Sequence, residues 1–400
     1  MSALINRVPT GRIASLHAEL QYLQWRFGQK TFSLVEMKLD PTLKKTQLDF
    51  YVLAKHDPKW GNYNGKYDPF LRNRLDKAGF HLTQSTVRDT QKSKSVSECF
   101  NALEALGWIE RVPSGQGKIT TLGTRVAKLD YRSPSFLPLL RSSLLAYGPF
   151  VGFLAEAIRT QKGGTFKRSS IFIGYPKTGE TIKVGSERIP LSVGSQADSV
   201  TRTRSTLAAW AMTAGFLWPK GVPYPKNKKL WHSGVLPVLQ GKWSWTSFDL
   251  LVPLTFLKDT TITVTRPLDY GAMTKSTKAL RERGQAGIRS ATIGVESLVK
   301  NRRFAIVYVL ASASVLGQSV SIAALIAQLG KYPKLFVVEK KDFRHVLLQE
   351  LPIAHTAGVP YFQQGDCLTP LVVCSPDAVS KGAPTEVVTA IKGMLSSVLL

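Results

Sequence analysis

The stretch "SVSECFNALEALGWIERVPSGQGKITTLG", residues 95–123, restricts the folding of this chain more than any other. Ser95 followed by Glu98 fits a capping box, in which the hydroxyl serves a free helix N–H and the carboxylate reaches back to the cap. A helix is expected to start there. Val96, Phe100, Leu103 and Leu106 recur at helical spacing on one stripe, leaving Ser97, Asn101 and Glu104 on the opposite one. Gly107 supplies a left-handed stop, and "WIERV" reads as a strand. Two glycines and a proline in "PSGQGK" allow only a tight exposed turn, after which "ITTL" offers the returning strand.

Helix, strand, basic hairpin and strand make the outline of a winged helix-turn-helix, whose capped helix enters the major groove while the hairpin rests on the backbone or minor groove. The outline recurs in "DSVTRTRSTLAAWAMTAGFLWPKGVPYPKNKK". There Val200, Thr203, Leu207, Trp210, Ala211 and Ala214 share a helical face and Arg202, Ser205 and Ala209 point away. Gly215 closes that helix, "FLW" mirrors "WIE", and the loop beyond carries Lys220, Lys226, Lys228 and Lys229. A third version is "SIAALIAQLGKYPKLFVVEKKDF", where Gly330 follows an alanine-rich helix and precedes an expected strand, with lysines at 331, 334, 340 and 341 available to phosphate. The three glycines are 108 and 115 residues apart, the spacing of three related units of domain size.

The fold expected is α+β and predominantly helical, with two to three winged helix-turn-helix-like units in tandem. The divisions are an N-terminal extension (1–46), a first unit (47–132), a second unit with a basic β-ribbon (133–255), a basic linker or helix (256–303) and a third unit (304–400).

Charge narrows the partners. The 400 residues hold 53 Lys and Arg against 27 Asp and Glu, a net +26. Such a field attracts polyanions, so nucleic acid leads and an anionic membrane surface comes second. Residues 160–230 alone carry twelve cations against three acids. Within them "GTFKRSSIFIGYPKTGETIKVGSERIPL" turns like a short β-ribbon, and its Phe166, Phe172 and Tyr175 read best as core. "MTKSTKALRERGQAGIRS" is either solvated surface or a helix gripping phosphates. The low-charge run Phe304–Gly330 reads as buried helices, no membrane partner is expected, and no signal-peptide pattern occupies the N-terminus. The expected location is cytoplasmic, nucleoid-associated in a prokaryote. Three cysteines without CxxC spacing and six scattered histidines indicate neither a disulfide framework nor a metal site, and no cofactor is expected.

The residues "LEALGWIERV", the wing "PSGQGK" and the following "ITTLGTRVAKL" resemble the winged-helix modules of transcription factors and of the recognition regions of type IIS restriction endonucleases. The resemblance covers about residues 85–130, and the second unit in outline. It implies that Ser97 and Asn101 face base edges, with Arg111, Gln116 and Lys118 on the wing and Lys94 just ahead of the helix. In the second unit it implies Arg202 and Ser205 as readers and Arg204 as their flank, beside the loop lysines. An enzyme of that kind carries a cleavage domain, which these residues do not reveal. The expectation is therefore a double-stranded DNA-binding recognition subunit without catalysis of its own, belonging to a prokaryotic or phage-related defence, restriction or mobile-element complex whose protein partners supply the chemistry.

Two alternatives stay open. A metal-dependent nuclease needs an acid followed by (Asp/Glu)-x-Lys on a strand to hold magnesium and orient water. Glu36 and Lys38 in "SLVEMKLD", and Glu339 and Lys341 in "FVVEKKD", have that spacing, but Glu19 is the only acid before Glu36 and none lies between Glu296 and Glu339. An amphipathic strand with a snorkelling lysine is the preferred reading of both. The other alternative is an RNA-binding or assembly scaffold, since winged helices also dock proteins. No GxxxxGK[ST] loop or G-x-S-x-G elbow occurs, His232 and His345 lack partners at ligand spacing, and no Arg/His cluster accompanies Tyr51, Tyr131 or Tyr147 in the sequence.

Overall fold

The computed structural model describes residues 13–39, 98–129, 133–171, 181–184, 187–190, 196–221, 245–270, 286–336 and 343–400. It is a mixed α and β structure, mostly helical, with small sheets.

The first unit begins earlier than expected. Helix α1 (Ile13–Phe27) buries Ile13, Leu16, Leu20 and Leu23 at helical spacing. Phe32 follows, then α2 (Leu34–Leu39), α3 (98–105), strands β1 (Ile109–Arg111) and β2 (Gly117–Ile119), and α4 (Thr121–Lys128). Phe32 and Gly117 exchange backbone hydrogen bonds of 2.9 and 2.7 Å, which adds a third strand position beside β2. His17 Nε2 donates to the Val126 carbonyl (3.2 Å), and Gln21 Nε2 to those of Ala127 and Leu129 (both 3.1 Å). Residues 13–39, placed by the sequence in a separate extension, thus supply the helix that covers α4. Within "ITTL" only Ile119 belongs to a strand, because Thr120 Oγ1 accepts from the Gly123 N–H and caps α4.

The second unit comprises α5 (Phe136–Leu145), α6 (Gly148–Thr160), β3 (Thr165–Lys167), a 3₁₀ turn (Arg168–Ser170), the hairpin of β4 (Thr181–Val184) with β5 (Glu187–Pro190), α7 (Gln196–Thr213), β6 (Leu217–Pro219) and β7 (Ser247–Leu250). Its main sheet has the order β3-β7-β6, antiparallel throughout. Phe166 is buried and stacked on Phe248 at 5.7 Å, so it belongs to the core. Phe172 and Tyr175 lie outside the described residues.

Then come α8 (Phe256–Asp259), β8 (Thr263–Val264), α9 (Ala286–Leu316), β9 (Val320–Ser321), α10 (Ile322–Leu329), α11 (Pro333–Phe336), α12 (Phe343–Glu350), α13 (Ile353–Ala357), β10 (Tyr361–Gln364), β11 (Cys367–Pro370), β12 (Val373–Cys374), α14 (Pro376–Ser380) and α15 (Thr385–Val398). The third sheet has the order β10-β11-β9, and β12 pairs with β8 in parallel. Helix α9 runs unbroken across positions 303 and 304, where the sequence suggested a division. Its apolar residues from Phe304 to Ala311 are all buried, so the cut expected there falls inside one core helix.

One connectivity appears three times. A helix leads to a short strand position, a later helix ends at a glycine corner, and the hairpin that follows pairs its second strand with that first position. At the first corner Gly107 N donates to the Glu104 carbonyl (2.9 Å) and Trp108 N to that of Leu103 (2.9 Å). At the second, Gly215 N donates to Met212 (3.0 Å) and Phe216 N to Ala211 (2.8 Å). These are Schellman closures, and φ of 71° and 74° makes glycine the residue of choice. The third corner is displaced from its expected place. Gly330 keeps right-handed geometry (φ −63°) and continues the helical bonding of α10, and Pro333, suited to a first helical turn, opens α11 where a strand was expected. The corner is instead Gly358 (φ 87°), whose N–H donates to His355 (3.1 Å) while Val359 N donates to Ala354 (2.9 Å).

The units share one continuous buried core. Helix α5 joins the first two: Trp108 Nε1 donates to Ser143 Oγ (2.9 Å), and Arg141 Nε donates to the Ala214 carbonyl (2.7 Å). Arg266 adds bonds from Nε to the Ala105 carbonyl (2.8 Å) and from Nη2 to that of Ser143, and burial pushes its guanidinium down to about 10. Helices α6 and α13 meet closely at Gly148 and Gly152. A methyl group built on Gly152 would lie 1.5 Å from the His355 carbonyl oxygen. Within the third unit, the fully buried Arg302 on α9 donates from Nε and Nη2 to Glu350 (3.1 and 3.0 Å) and from Nη1 to the Phe336 carbonyl (3.0 Å).

The α6–α13 contact also carries a pH dependence. His355 is buried, lies 3.9 Å from Glu156 and stacks on Tyr361 at 4.5 Å. Burial pushes it from 6.5 down to about 4, against the opposing pull of Glu156. The unfolded chain therefore binds the extra proton first, so this contribution is complete above pH 6.5 and is lost as pH falls toward about 4. Across that window His355→Gln is expected to flatten the fall in denaturant-measured stability, by up to about 1.4 kcal/mol per pH unit. An unchanged slope in the variant would rule His355 out as its source.

Candidate nucleic-acid interface

In the first unit the apolar stripe is seated as expected, with Phe100, Leu103 and Leu106 fully buried, and Asn101 is exposed on the opposite side. The hairpin folds back toward that side. Arg111 on β1 donates from Nη2 and Nε to the Glu104 carboxylate (2.9 and 3.3 Å) and from Nη2 to Asn101 Oδ1 (3.3 Å). Its guanidinium carbon lies 4.7 Å from the centre of the Phe100 ring. Asn101 and Arg111 are thus brought together, and Glu104 joins them without having been assigned a role beforehand. Its signal was there, three residues after Asn101 on the exposed stripe, but its link to Arg111 exists only once the hairpin folds. Lys118 stands opposite Glu110 in the ladder, and the Gln116 carbonyl accepts from Val112 N to close the turn (2.9 Å). Lys94 and Ser97 lie outside the described residues.

The second unit presents a broader cationic surface. Arg202 and Lys220 are exposed, as are Lys162 and Lys167 on either side of the turn into β3. Arg204 is half-buried, its Nε donating to the Ile171 carbonyl (2.7 Å), and that residue's own N–H reaches the Arg168 carbonyl (3.3 Å). Burial lowers the proton affinity of both guanidiniums, and the positive charge of Arg168 lowers that of Arg204 further. Arg168 was not singled out in sequence because only the packing of α7 on the 3₁₀ turn brings it to Arg204. The Ser205 hydroxyl is committed to the Thr201 carbonyl of its own helix (2.7 Å). Thr206, Ala208 and Met212 are buried as well, so the helix has an exposed face only toward its N-terminal half. Lys226, Lys228 and Lys229 lie outside the described residues.

The third unit is built differently. Residues 343–400 contain three cations and four acids. Its hairpin tip is exposed but anchored: Asp366 Oδ2 accepts from Ala323 N (2.9 Å) and Ser321 Oγ (3.2 Å), and its carbonyl from Ile322 N (2.8 Å), tying the tip to the start of α10. Lys331 and Lys334 are exposed beyond the C-terminal end of that helix, Lys334 on α11, and residues 340 and 341 are not among those described.

Glu36 and Lys38 lie on helix α2, where the sequence suggested a strand. Ser33 N donates to the Glu36 carboxylate and Glu36 N to Ser33 Oγ (3.0 Å), a reciprocal capping box that outweighs the short apolar run. The Ser33 N–H holds the Glu36 carboxyl below the usual range. Glu339 and Lys341 lie outside the described residues. Among the described residues no group of three or more His, Cys, Asp or Glu side chains is placed to hold a metal ion, and no helix is long and apolar enough to cross a membrane.

No protein-family model and no curated protein matches this chain. Among solved structures it is similar to restriction endonuclease FokI, with a TM-score of 0.49 at 12% identity over 94% of this chain and 64% of that one. It is also similar to FokI bound to DNA, with a TM-score of 0.44 at 11% identity over 94% of this chain and 63% of that one. The resemblance is weak, and the chain spans less than two-thirds of the length of either FokI chain.

Proposed function

We propose that the chain is a double-stranded DNA-binding protein whose first two units are winged helix-turn-helix modules, with chemistry supplied by a partner. The observation that carries this reading is the repeated glycine-corner unit. In both its first and second copies the corner ends a helix with polar or cationic residues on its open side, within a chain of net charge +26. In the first unit Asn101 and Arg111, with Gln116 and Lys118 on the wing, face bases and backbone. In the second, Arg202 faces bases, while Lys220, Lys167 and the Arg168–Arg204 pair hold phosphates. The third unit, whose residues 343–400 are nearly balanced in charge and whose hairpin tip is tied to the start of α10, is a packing element. A prokaryotic or phage-related restriction, defence or mobile-element complex is the setting this reading implies, with the protein in the cytoplasm.

The test is binding of the purified chain to random duplex, single-stranded DNA and RNA at several salt concentrations, with sequencing of the retained duplex. Duplex is expected to be preferred, and with about eight phosphates contacted log K falls against log[salt] with a slope near −7. Arg204→Ala is expected to reduce that slope by about 1 while leaving sequence preference intact, and Asn101→Ala to relax preference at one base pair. Salt-insensitive binding would remove the proposal, and a preference for RNA or single strands would replace it with the scaffold reading.

A further inference from the structure

We propose that Glu104 determines the specificity of the first unit: its carboxylate holds Arg111 and Asn101 in one fixed cluster and stops Arg111 from acting as an indiscriminate phosphate grip. This rests on the reading of that unit as a duplex reader. Three groups from two elements meet here, Asn101 and Glu104 one helical turn apart on α3 and Arg111 across the corner on β1. A guanidinium carries five N–H donors in a rigid fork. Glu104 engages its Nε and Nη2 with both carboxylate oxygens, and the ring of Phe100 supports one face. The arginine side chain is thereby held in one direction before any ligand arrives.

Two consequences follow from the charge. Glu104 neutralises Arg111, so the cluster offers oriented donors and acceptors with little net attraction for a bare phosphate. Arg111 in turn donates to Asn101 Oδ1, which settles which way that amide faces. A purely phosphate-holding arginine would gain nothing from a carboxylate partner at 2.9 Å, since the pairing opposes the electrostatic term that drives sequence-independent binding. A base-reading cluster gains from it, because discrimination depends on donors held where the correct base meets them and wrong ones do not.

Glu104→Gln tests this. Gln keeps the size and one acceptor oxygen and removes the charge, and both partners are more than a third exposed, so folding is not at stake. Affinity of the full chain is measured for the duplex motif that the unaltered protein enriches from a random pool, and for a scrambled duplex of equal length. The variant is expected to bind the scrambled duplex more tightly, with a salt slope steeper by about 1 as Arg111 gains a phosphate. The ratio of the two affinities is expected to fall about tenfold, the scale of one good base contact. Adding Arg111→Ala to Glu104→Gln is expected to abolish the gain on scrambled duplex. An unchanged ratio and slope, in a protein that does enrich a motif, would reduce Glu104 to an ordinary surface ion pair and overturn this inference alone. A protein that enriches no motif overturns the duplex-reader proposal and this inference with it.

Discussion

Glu350→Ala is expected to destabilise the protein by about 3–5 kcal/mol, because it leaves the Arg302 guanidinium buried with its charge uncompensated. Arg302 sits at the centre of the third unit, 2% exposed, with Glu350 on two of its nitrogens and the Phe336 carbonyl on the third. Arg303 adds a second contact with the same carboxylate at 3.8 Å. The loss is expected to exceed that of most single truncations on the surface, which stay within about 0.5 kcal/mol. The control is the double replacement Arg302→Met with Glu350→Leu, which removes both charges and is expected to recover much of the loss. Urea titrations of the three proteins decide it. A Glu350→Ala midpoint equal to that of the unaltered chain would mean that water reaches Arg302.

Gly152→Ala is expected to be the most damaging change of a single methyl group. The obstacle at 1.5 Å is the His355 carbonyl oxygen, with the His355 carbonyl carbon at 2.4 Å and the Thr356 Cα at 2.7 Å behind it. Backbone cannot rotate aside, so α6 and α13 must separate. The cost is expected to reach or pass the upper end of the ordinary overpacking range of about 1–3 kcal/mol. Gly393 provides the contrast, since it is exposed in α15 and a methyl group there meets nothing within 4 Å. Gly393→Ala is expected to stabilise by about 0.4–1 kcal/mol through the unfolded chain and the helix preference of alanine. Thermal unfolding of the two variants should therefore move in opposite directions, and a shared direction would show that the α6–α13 contact can open freely.

The helix, glycine corner and following strand in each of the first two units were legible because their signals are local. The spacing of Phe100, Leu103 and Leu106 and the glycine after them set helix, buried face and corner within eight residues. The third unit was misplaced because Gly330 and Gly358 cannot be told apart by identity. The helix before Gly330 is eight residues and strongly apolar, whereas the one before Gly358 is five residues and gives periodicity little to act on. At Glu36 a short apolar run suggested a strand, although Ser33 and Glu36 already spelled the capping box that decides for helix. The candidate residues could be listed from the sequence, but their arrangement could not. Nothing in the chain places Arg168 beside Arg204, or Glu104 against Arg111, until α7 packs on the 3₁₀ turn and the hairpin folds over α3.

If the first two units read duplex DNA as proposed, helix α5 sets the interval between the segments they contact. It bonds to Trp108 at one glycine corner and to the carbonyl before Gly215 at the other, so the first two units are splinted in a set relation. Paired readers on a flexible tether tolerate variable gaps between their half-sites, but a splinted pair does not. Each base pair inserted between the two contacted segments advances the second by about 3.4 Å and turns it by roughly a tenth of a helical revolution. On the proposed reading the chain would act as a ruler as well as a reader, and a target with the right letters at the wrong interval would be a poor one.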